Sequence, residues 1–132
     1  MAAGSTAREY PAQLLPYIRK GITFADIGST VDLGVVPVGA IIDDVYVIVS
    51  TAFDSGSTDI LDIGTSDDTD GFATDLTLQT AGKIAADELA TSNDLGPFAA
   101  ATTLQAVVVA TGTAATAGAG EIVVTFIPDN DG

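Results

Sequence analysis

The feature that most constrains the fold of this chain is a period of two in its apolar residues from residue 21 onward. Apolar and polar side chains alternate over short runs, and glycine, proline, serine or aspartate bounds each run. This alternation is typical of a strand with one buried face and one solvated face. The alternating apolar positions are Ile22 and Phe24; Val31, Leu33 and Val35; Ile41–Val49; Leu61 and Ile63; Leu76 and Leu78; Leu104, Ala106 and Val108; and Ile122, Val124 and Phe126.

The runs predict about eight strands, separated by turns at the close spacing typical of antiparallel β-sandwiches and barrels. The length of 132 residues fits one domain. We therefore expect an all-β antiparallel sandwich of the jelly-roll type, with one helical turn at Ala85–Thr91. The small residues of Gly112–Gly120 predict a loop between the last two strands, which could be a flexible tip or pack against a neighbour.

The first twenty residues depart from this pattern. Pro11 and Pro16 restrict the backbone and remove hydrogen-bond donors, so residues 1–20 are predicted to form an extended or briefly helical docking arm, and residues 21–132 the sandwich domain. Tyrosine and arginine are enriched at protein interfaces. The arm could fold back on its own sandwich or dock on another chain. In the second case, we expect the contacts to come from Arg8, Tyr10, Leu14, Leu15, Tyr17, Arg19 and Lys20.

Some strands carry apolar residues on both faces. Val45–Val49 is apolar or aromatic throughout, and four residues near the end of the chain occupy positions that the alternation assigns to solvent. Either other parts of the fold cover these side chains or they mark a contact between subunits. The hypothesis of an oligomer with a cyclic axis assigns that contact to Val107, Val109, Val123 and Ile127.

Charge is distributed unevenly along the chain. The net charge is −14, with four basic and eighteen acidic residues. Three of the basic residues lie in residues 1–20, whereas Lys83 is the only basic residue after them. Such an acidic body repels phosphate backbones and anionic lipids, so neither nucleic acid nor a membrane is an expected partner. No signal peptide or membrane span is predicted either.

Catalytic and metal-binding chemistry has little support in the composition. The chain has no histidine and no cysteine, which removes imidazole bases, thiolate nucleophiles and the usual zinc ligands. The cluster Asp67, Asp68 and Asp70 falls near a calcium-loop pattern, but Thr77 stands where that loop needs a bidentate glutamate. We expect a solvated turn there, no metal, no cofactor and no enzymatic activity.

Two stretches resemble a known class of viral protein. They are LGVVPVGAIIDDVYVIV at residues 33–49 and TDILDIGTSDDTDGF at residues 58–72. The chain resembles small structural proteins of tailed bacteriophages, in particular capsid decoration or cement proteins. The resemblance implies a jelly-roll homotrimer, made in the host cytoplasm, that binds the outer surface of the icosahedral head and bridges major capsid protein subunits. Related jelly rolls also occur in fibres, so the alternative is a receptor- or glycan-binding head domain of a tail fibre or another surface-binding module.

Overall fold

The computed structural model describes residues 16–129, and almost all of its regular structure is β-strand. The strands are β1 (Tyr17–Thr23), β2 (Thr30–Val36), β3 (Ile41–Thr51), β4 (Thr58–Thr65), β5 (Ala73–Thr77), β6 (Gly82–Ala85), β7 (Thr102–Thr111) and β8 (Ala119–Ile127). A single-turn 3₁₀ helix, Phe24–Asp26, follows β1. Among residues 16–129 no helix is long and apolar enough to cross a membrane.

The strands form two antiparallel four-stranded sheets. One sheet, here called the β1 sheet, has the order β1-β8-β3-β6, and the other, the β2 sheet, has the order β2-β7-β4-β5. Consecutive strands alternate between the sheets except for β4 and β5, which are neighbours. Two packed sheets with these orders are a jelly roll. The prediction of an all-β sandwich with about eight strands is therefore confirmed.

The core lies between the inner faces of the two sheets, where the predicted alternation places it. Each fully buried aliphatic side chain contributes about 1.5 to 3 kcal/mol relative to an exposed one. Because every strand supplies its inward residues from one phase of the alternation, a shift by one residue would expose that set. The central strands bury Val45, Val47 and Val49 of β3, Leu61 and Ile63 of β4, Leu104, Ala106 and Val108 of β7, and Ile122 and Val124 of β8.

Three predicted core positions, Phe24, Val35 and Ile41, are exposed instead. The pairing of β2 with β7 shifts between Asp32 and Gly34, where Gly34 has φ +134°. This bulge inserts one residue into the alternation, so Val36 is buried and Val35 is 57% exposed. Phe24 is also partly exposed, because the 3₁₀ helix ends the alternation of β1.

The predicted helical turn at Ala85–Thr91 is wrong. Ala85 is the last residue of β6 and pairs with Tyr46. The following backbone donors are used by partners distant in sequence: Ala86 N bonds to Val45 O at 3.0 Å and Glu88 N bonds to Phe72 O at 3.0 Å. Besides these long-range hydrogen bonds, Thr91 N bonds to Glu88 O at 3.1 Å, which closes one tight turn but does not make a helix.

The predicted boundary between arm and sandwich falls inside β1. Tyr17 pairs with Thr125 and Lys20 pairs with Ile122, so residues 17–20 are the first half of an edge strand. The pairing already begins at Pro16, whose carbonyl accepts a hydrogen bond from Phe126 N at 3.2 Å. The prediction that residues 17–20 are not a strand of the sandwich is corrected accordingly. The remaining arm, residues 1–15, lies outside the described residues and is here called the leader.

The two ends of the sandwich carry different segments. The end at Pro16 also holds the β2–β3 turn, the β4–β5 connection and residues 86–101. The opposite end, here called the loop end, holds the 3₁₀ helix and the loops 52–57 and 112–118. Because Pro16 precedes β1, the leader joins the molecule at the edge of the β1 sheet, away from the loop end.

Candidate interaction surfaces

The outer surface of the β1 sheet combines aromatic, aliphatic, basic and acidic side chains, the acidic ones being Asp44 and Glu121. Arg19 pairs with Val123, Val123 pairs with Tyr46, and Ile48 pairs with Lys83, so these residues share one side of the sheet. Their neighbours along each strand, which are the buried core residues, point to the other side. We call this surface the β1 face and define it by Tyr17, Arg19, Tyr46, Ile48, Lys83 and Val123.

Both basic residues of the β1 face have partners within it. The Arg19 guanidinium contacts Glu121 Oε2 through Nε and Nη2, each at 2.6 Å. The hydrogen bond and the charge of Glu121 raise the pKa of Arg19, although an exposed pair of this kind adds little stability. Lys83 Nζ lies 4.3 Å from the centroid of the Tyr46 ring, which is a cation–π contact. These contacts orient both cations over the face.

The structure separates the predicted docking residues. Tyr17 and Arg19 lie on the β1 face, and Tyr17 is 66% exposed. Lys20 belongs to the opposite phase of β1 and is exposed only because β1 is an edge strand. The other four predicted docking residues are in the leader, outside the described residues: Arg8, Tyr10, Leu14 and Leu15. Their role stays a prediction.

The four predicted oligomer residues do not form one patch. Val107 and Val109 point outward from the β2 sheet, whereas Val123 and Ile127 point outward from the β1 sheet. The two pairs therefore lie on opposite sides of the sandwich. Val109 and Ile127 are 43% and 48% exposed, so the rest of the described chain leaves both side chains partly uncovered. Whether either pair contacts a second copy stays a prediction.

The outer surface of the β2 sheet, here called the β2 face, is acidic. Asp32, Asp62 and Asp75 lie on it, and Asp62 Oδ1 accepts a hydrogen bond from Asp75 N at 2.8 Å. Within residues 16–129 the basic residues are Arg19, Lys20 and Lys83, and all three lie in β1 or β6, the edge strands of the other sheet. The β2 face thus carries no basic residue of the described chain, whereas the β1 face carries both signs, with Glu121 and Asp44 beside Arg19 and Lys83.

At the loop end, an aspartate holds the predicted small-residue loop. Asp54 Oδ1 accepts hydrogen bonds from the backbone nitrogens of Thr116 and Ala117 at 2.8 and 3.0 Å, and its Oδ2 accepts one from Thr116 Oγ1 at 2.9 Å. These hydrogen bonds lower the pKa of Asp54, and the bond from Ala117 N has the largest effect. The β7–β8 loop therefore packs against the β3–β4 loop of the same chain.

A shallow depression of about 230 Å³ lies beside this loop. Phe24, Ile27, Ala110 and Ala114 are among its lining residues, and no lining side chain is ionisable. Catalysis by proton transfer needs a titratable group at the reacting atoms. The depression therefore lacks the side chains that such a reaction requires.

The aspartate cluster lies in an exposed turn. Asp67, Asp68 and Asp70 are exposed after the end of β4, and Asp68 O accepts backbone hydrogen bonds from Thr65 and Gly71 at 2.9 and 3.2 Å. Across the described part of the chain, no three acidic, histidine or cysteine side chains approach closely enough to hold a metal ion.

The fold recurs in the capsids of bacteriophages. A chain of the cyanophage Pam1 capsid asymmetric unit superimposes with a TM-score of 0.67 and 17% identity, covering 86% of this chain and 84% of that one. A chain of the Ralstonia phage GP4 capsid has a TM-score of 0.64 at 18% identity, over 90% and 87% of the two chains. A chain of the acidic stable capsid of Helicobacter pylori bacteriophage KHP30 has a TM-score of 0.61 at 17% identity, over 89% and 90%.

These similarities cover nearly the whole sandwich and confirm the resemblance to phage capsid chains at the level of the fold. No protein-family model matches the chain. No curated protein sequence matches it either.

Proposed function

We propose that this chain is a phage capsid decoration, or cement, protein that binds the outer surface of the head as a homotrimer and bridges neighbouring major capsid protein subunits. The observation that supports this most strongly is the occurrence of the same jelly roll, over most of its length, in three phage capsids. A structural role also fits the outer faces of the sandwich, where Tyr17, Val109 and Ile127 are exposed and available for contacts. Synthesis would take place in the host cytoplasm.

Trimerisation would make weak individual contacts sufficient. A contact of millimolar affinity contributes only about 4 kcal/mol. Three such contacts on one trimer act at high effective concentration, and the resulting avidity exceeds the single affinity by roughly 10² to 10⁴. A cement protein of this size therefore needs no single strong site, provided that its contacts are spaced to reach adjacent shell subunits.

We assign the proposed contact with the capsid to the leader and the start of β1. Tyr17 and Arg19 are exposed on the β1 face, and Pro16 connects them directly to the leader. Arg8, Tyr10, Leu14 and Leu15 of the leader add the residue types that dominate interfaces. Lys20 would take part only in contacts beyond the edge of β1, because its side chain belongs to the other phase of that strand.

Only one of the two pairs of exposed apolar residues would serve a trimer. If one face of each copy contacted the opposite face of the next copy, the copies would stack into a filament. Such a head-to-tail contact closes into a ring only when the two contacting patches are inclined to each other. We therefore assign the trimer contact either to Val107 and Val109 or to Val123 and Ile127, and not to all four.

The test is electron microscopy of phage heads with and without this protein. The proposal expects protruding density at local three-fold positions over the whole outer surface, and greater resistance of the decorated heads to heat. Density confined to the tail would overturn it in favour of the fibre alternative. Particles in which the protein is absent from the shell and from the tail would contradict both functions.

A further inference from the structure

We infer that Lys20 keeps the free edge of β1 from pairing with a strand of a second copy of this chain, and so directs association between copies to other surfaces. The inference concerns the edges of the sheets and does not depend on the proposed function. It gives a role to a basic side chain that the phase of β1 places off the β1 face.

One row of backbone groups on β1 has no strand partner among residues 16–129. β1 is the outermost strand of its sheet, and β8 is its neighbour there. Phe126 N donates to Pro16 O at 3.2 Å, in register with the pairs between the two strands. Because bonded and non-bonded pairs alternate in an antiparallel ladder, the even-numbered residues of β1 bond to β8, and the amides of Arg19 and Gly21 point to the open side. This open side is a place where another strand could add to the sheet.

The other three edge strands are shorter or irregular. β6 has four residues and β5 has five, and the pairing of β5 with β4 shifts between Leu61 and Ile63. β2 has seven residues, but its pairing with β7 shifts at Gly34. Short strands and bulges discourage strand addition. β1 instead pairs with β8 over all seven of its residues without a shift, and its open side is closed only at the end, where Asp26 Oδ2 accepts a hydrogen bond from Thr23 N at 2.9 Å.

Lys20 interrupts the core-facing row of this regular edge. Ile18, Lys20 and Ile22 occupy successive inward positions, and both isoleucines pack in or against the core. Lys20 is exposed, and within residues 16–129 it has no ion pair. A strand added to the edge would extend the sheet beyond Lys20 and enclose its ammonium group between the sheets. Because burying an unpaired charge is costly, an inward-pointing charge on an edge strand opposes strand addition.

A second copy of β1 is the partner that Lys20 excludes most directly. Lys20 is the middle residue of Tyr17–Thr23. A two-fold antiparallel pairing over the whole strand would place Arg19 opposite Gly21, the two residues whose amides point to the open side. The same register places Lys20 opposite its own counterpart in the second copy. Like charges directly opposite each other destabilise a strand pair, so the register that uses the most hydrogen bonds is also the one that brings the two ammonium groups together.

The inference is tested with full-length Lys20→Val, in which a strand-forming apolar side chain completes the inward row. Light scattering measures the molar mass at increasing protein concentration. We expect Lys20→Val to form larger assemblies than the unchanged protein, with a mass that rises with concentration. Hydrogen exchange should show the amides of Arg19 and Gly21 protected about tenfold or more in these assemblies relative to the unchanged protein.

Two control variants separate strand pairing from a general change of the surface. Lys20→Glu keeps a charge at the inward position. Lys83→Val makes the same substitution on β6, another edge strand, where the side chain points outward. Both controls should keep the molar mass of the unchanged protein.

Several outcomes would overturn the inference. One is a molar mass of Lys20→Val equal to that of the unchanged protein, and another is association of Lys20→Glu or Lys83→Val to the same extent as Lys20→Val. Protected Arg19 and Gly21 amides in the unchanged protein would show that the edge is already covered. Denaturant unfolding of Lys20→Val at low concentration should give a free energy of unfolding no lower than that of the unchanged protein, and a lower one would attribute the association to unfolded chains. None of these measurements uses phage heads, so their result is separate from that of the proposed function.

Discussion

The Asp54 carboxylate lies 2.8 Å from the backbone nitrogen of Thr116, a residue 62 positions further along the chain. This bond joins the β3–β4 loop to the β7–β8 loop, and Ala117 N and Thr116 Oγ1 donate to the same carboxylate. A loop of small residues has few side chains with which to order itself. Its conformation is therefore set largely by an acceptor that belongs to another loop.

The first prediction concerns the pH dependence of this loop. The hydrogen bonds hold the pKa of Asp54 below its ordinary value of 3.8. Because the folded-state pKa is the lower one, the stabilisation by Asp54 is fully present above pH 3.8 and is lost as the pH falls through the folded-state pKa. We expect the Thr116 and Ala117 amides to lose protection against exchange with solvent when the pH falls below the folded-state pKa of Asp54. Hydrogen exchange in the folded protein measures this protection relative to the intrinsic exchange rate at each pH.

The matched variant is Asp54→Ala, which removes the acceptor at every pH. In Asp54→Ala the Thr116 and Ala117 amides should therefore exchange fast at every pH, because no carboxylate remains at position 54 to gain or lose a proton. Asp32→Ala is the control, since Asp32 accepts a backbone hydrogen bond from Gly34 on the β2 face, away from this loop. Equal exchange rates in Asp54→Ala and in the unchanged protein would contradict the role of Asp54.

The second prediction concerns the packing of Gly118 against Phe53. A Cβ atom added to Gly118 would lie 2.6 Å from Cγ of the Phe53 ring, which is buried. Gly118→Ala therefore forces a movement of the ring or of the backbone. Gly82 has a similar φ, +134° against +149° for Gly118, but no atom lies within 4 Å of its added Cβ.

Since Gly82→Ala carries the backbone strain without the collision, the difference between the two variants isolates the collision. We expect Gly118→Ala to lower the free energy of unfolding by about 1 to 3 kcal/mol more than Gly82→Ala does. Denaturant unfolding of both proteins measures that difference. Equal losses would show that the ring moves aside at no cost.

The third prediction concerns a buried carboxylate. Asp59 is fully buried and accepts hydrogen bonds from Ser55 N at 2.9 Å, Ser55 Oγ at 2.6 Å and Gln79 Nε2 at 2.9 Å. Removing this acceptor leaves several donors without a partner, each costing roughly 1 to 3 kcal/mol. We expect Asp59→Ala to lower the free energy of unfolding by about 2 to 4 kcal/mol in the same denaturant experiment.

Ser55→Ala is the companion variant for Asp59. It removes one hydroxyl donor but leaves Ser55 N and Gln79 Nε2 bonded to the carboxylate, so its cost should be about 1 kcal/mol. A loss as large as that of Asp59→Ala would mean that the hydroxyl, and not the carboxylate, organises this group.

The sequence was sufficient to predict the β-sandwich, because a period of two in the apolar residues is a direct consequence of burying one face of each strand. The prediction from the sequence failed at Val35, because the bulge at Gly34 adds one residue to β2 and so reverses which residues face the core. Nothing in the alternation indicates that a bulge is present. The prediction failed at Tyr17–Lys20 for a different reason. Those residues follow a proline and lack a clear alternation, and only their pairing with β8 makes them a strand.

The candidate surface was only partly predictable. Tyr17 and Arg19 could be selected by residue type alone, whereas Lys83 was left aside as the one basic residue of an acidic body. Its place over the Tyr46 ring depends on the register between β3 and β6, in which the paired residues Val49 and Gly82 are 33 positions apart in the chain. A strand pairing of this range has no signature in the sequence of either partner.

The last prediction separates the leader from β1 by two truncations. Deleting residues 1–15 removes no residue of the sandwich, so the midpoint of thermal unfolding should stay close to that of the full chain. Deleting residues 1–20 removes four of the seven residue pairs between β1 and β8, together with Ile18, which packs on the core. We expect this longer deletion to lower the free energy of unfolding by at least about 2 kcal/mol, because it also uncovers the apolar residues beneath β1.

Binding to heads gives the second measurement on the same two proteins. If the leader is part of the contact with the capsid, the protein without residues 1–15 should bind heads more weakly although it is folded and keeps Tyr17 and Arg19. Binding equal to that of the full chain would remove the leader from the contact and leave Tyr17 and Arg19 of β1 to carry it. Weaker binding with an unchanged unfolding midpoint shows that the leader acts in attachment, because a loss of folded protein would lower both quantities together.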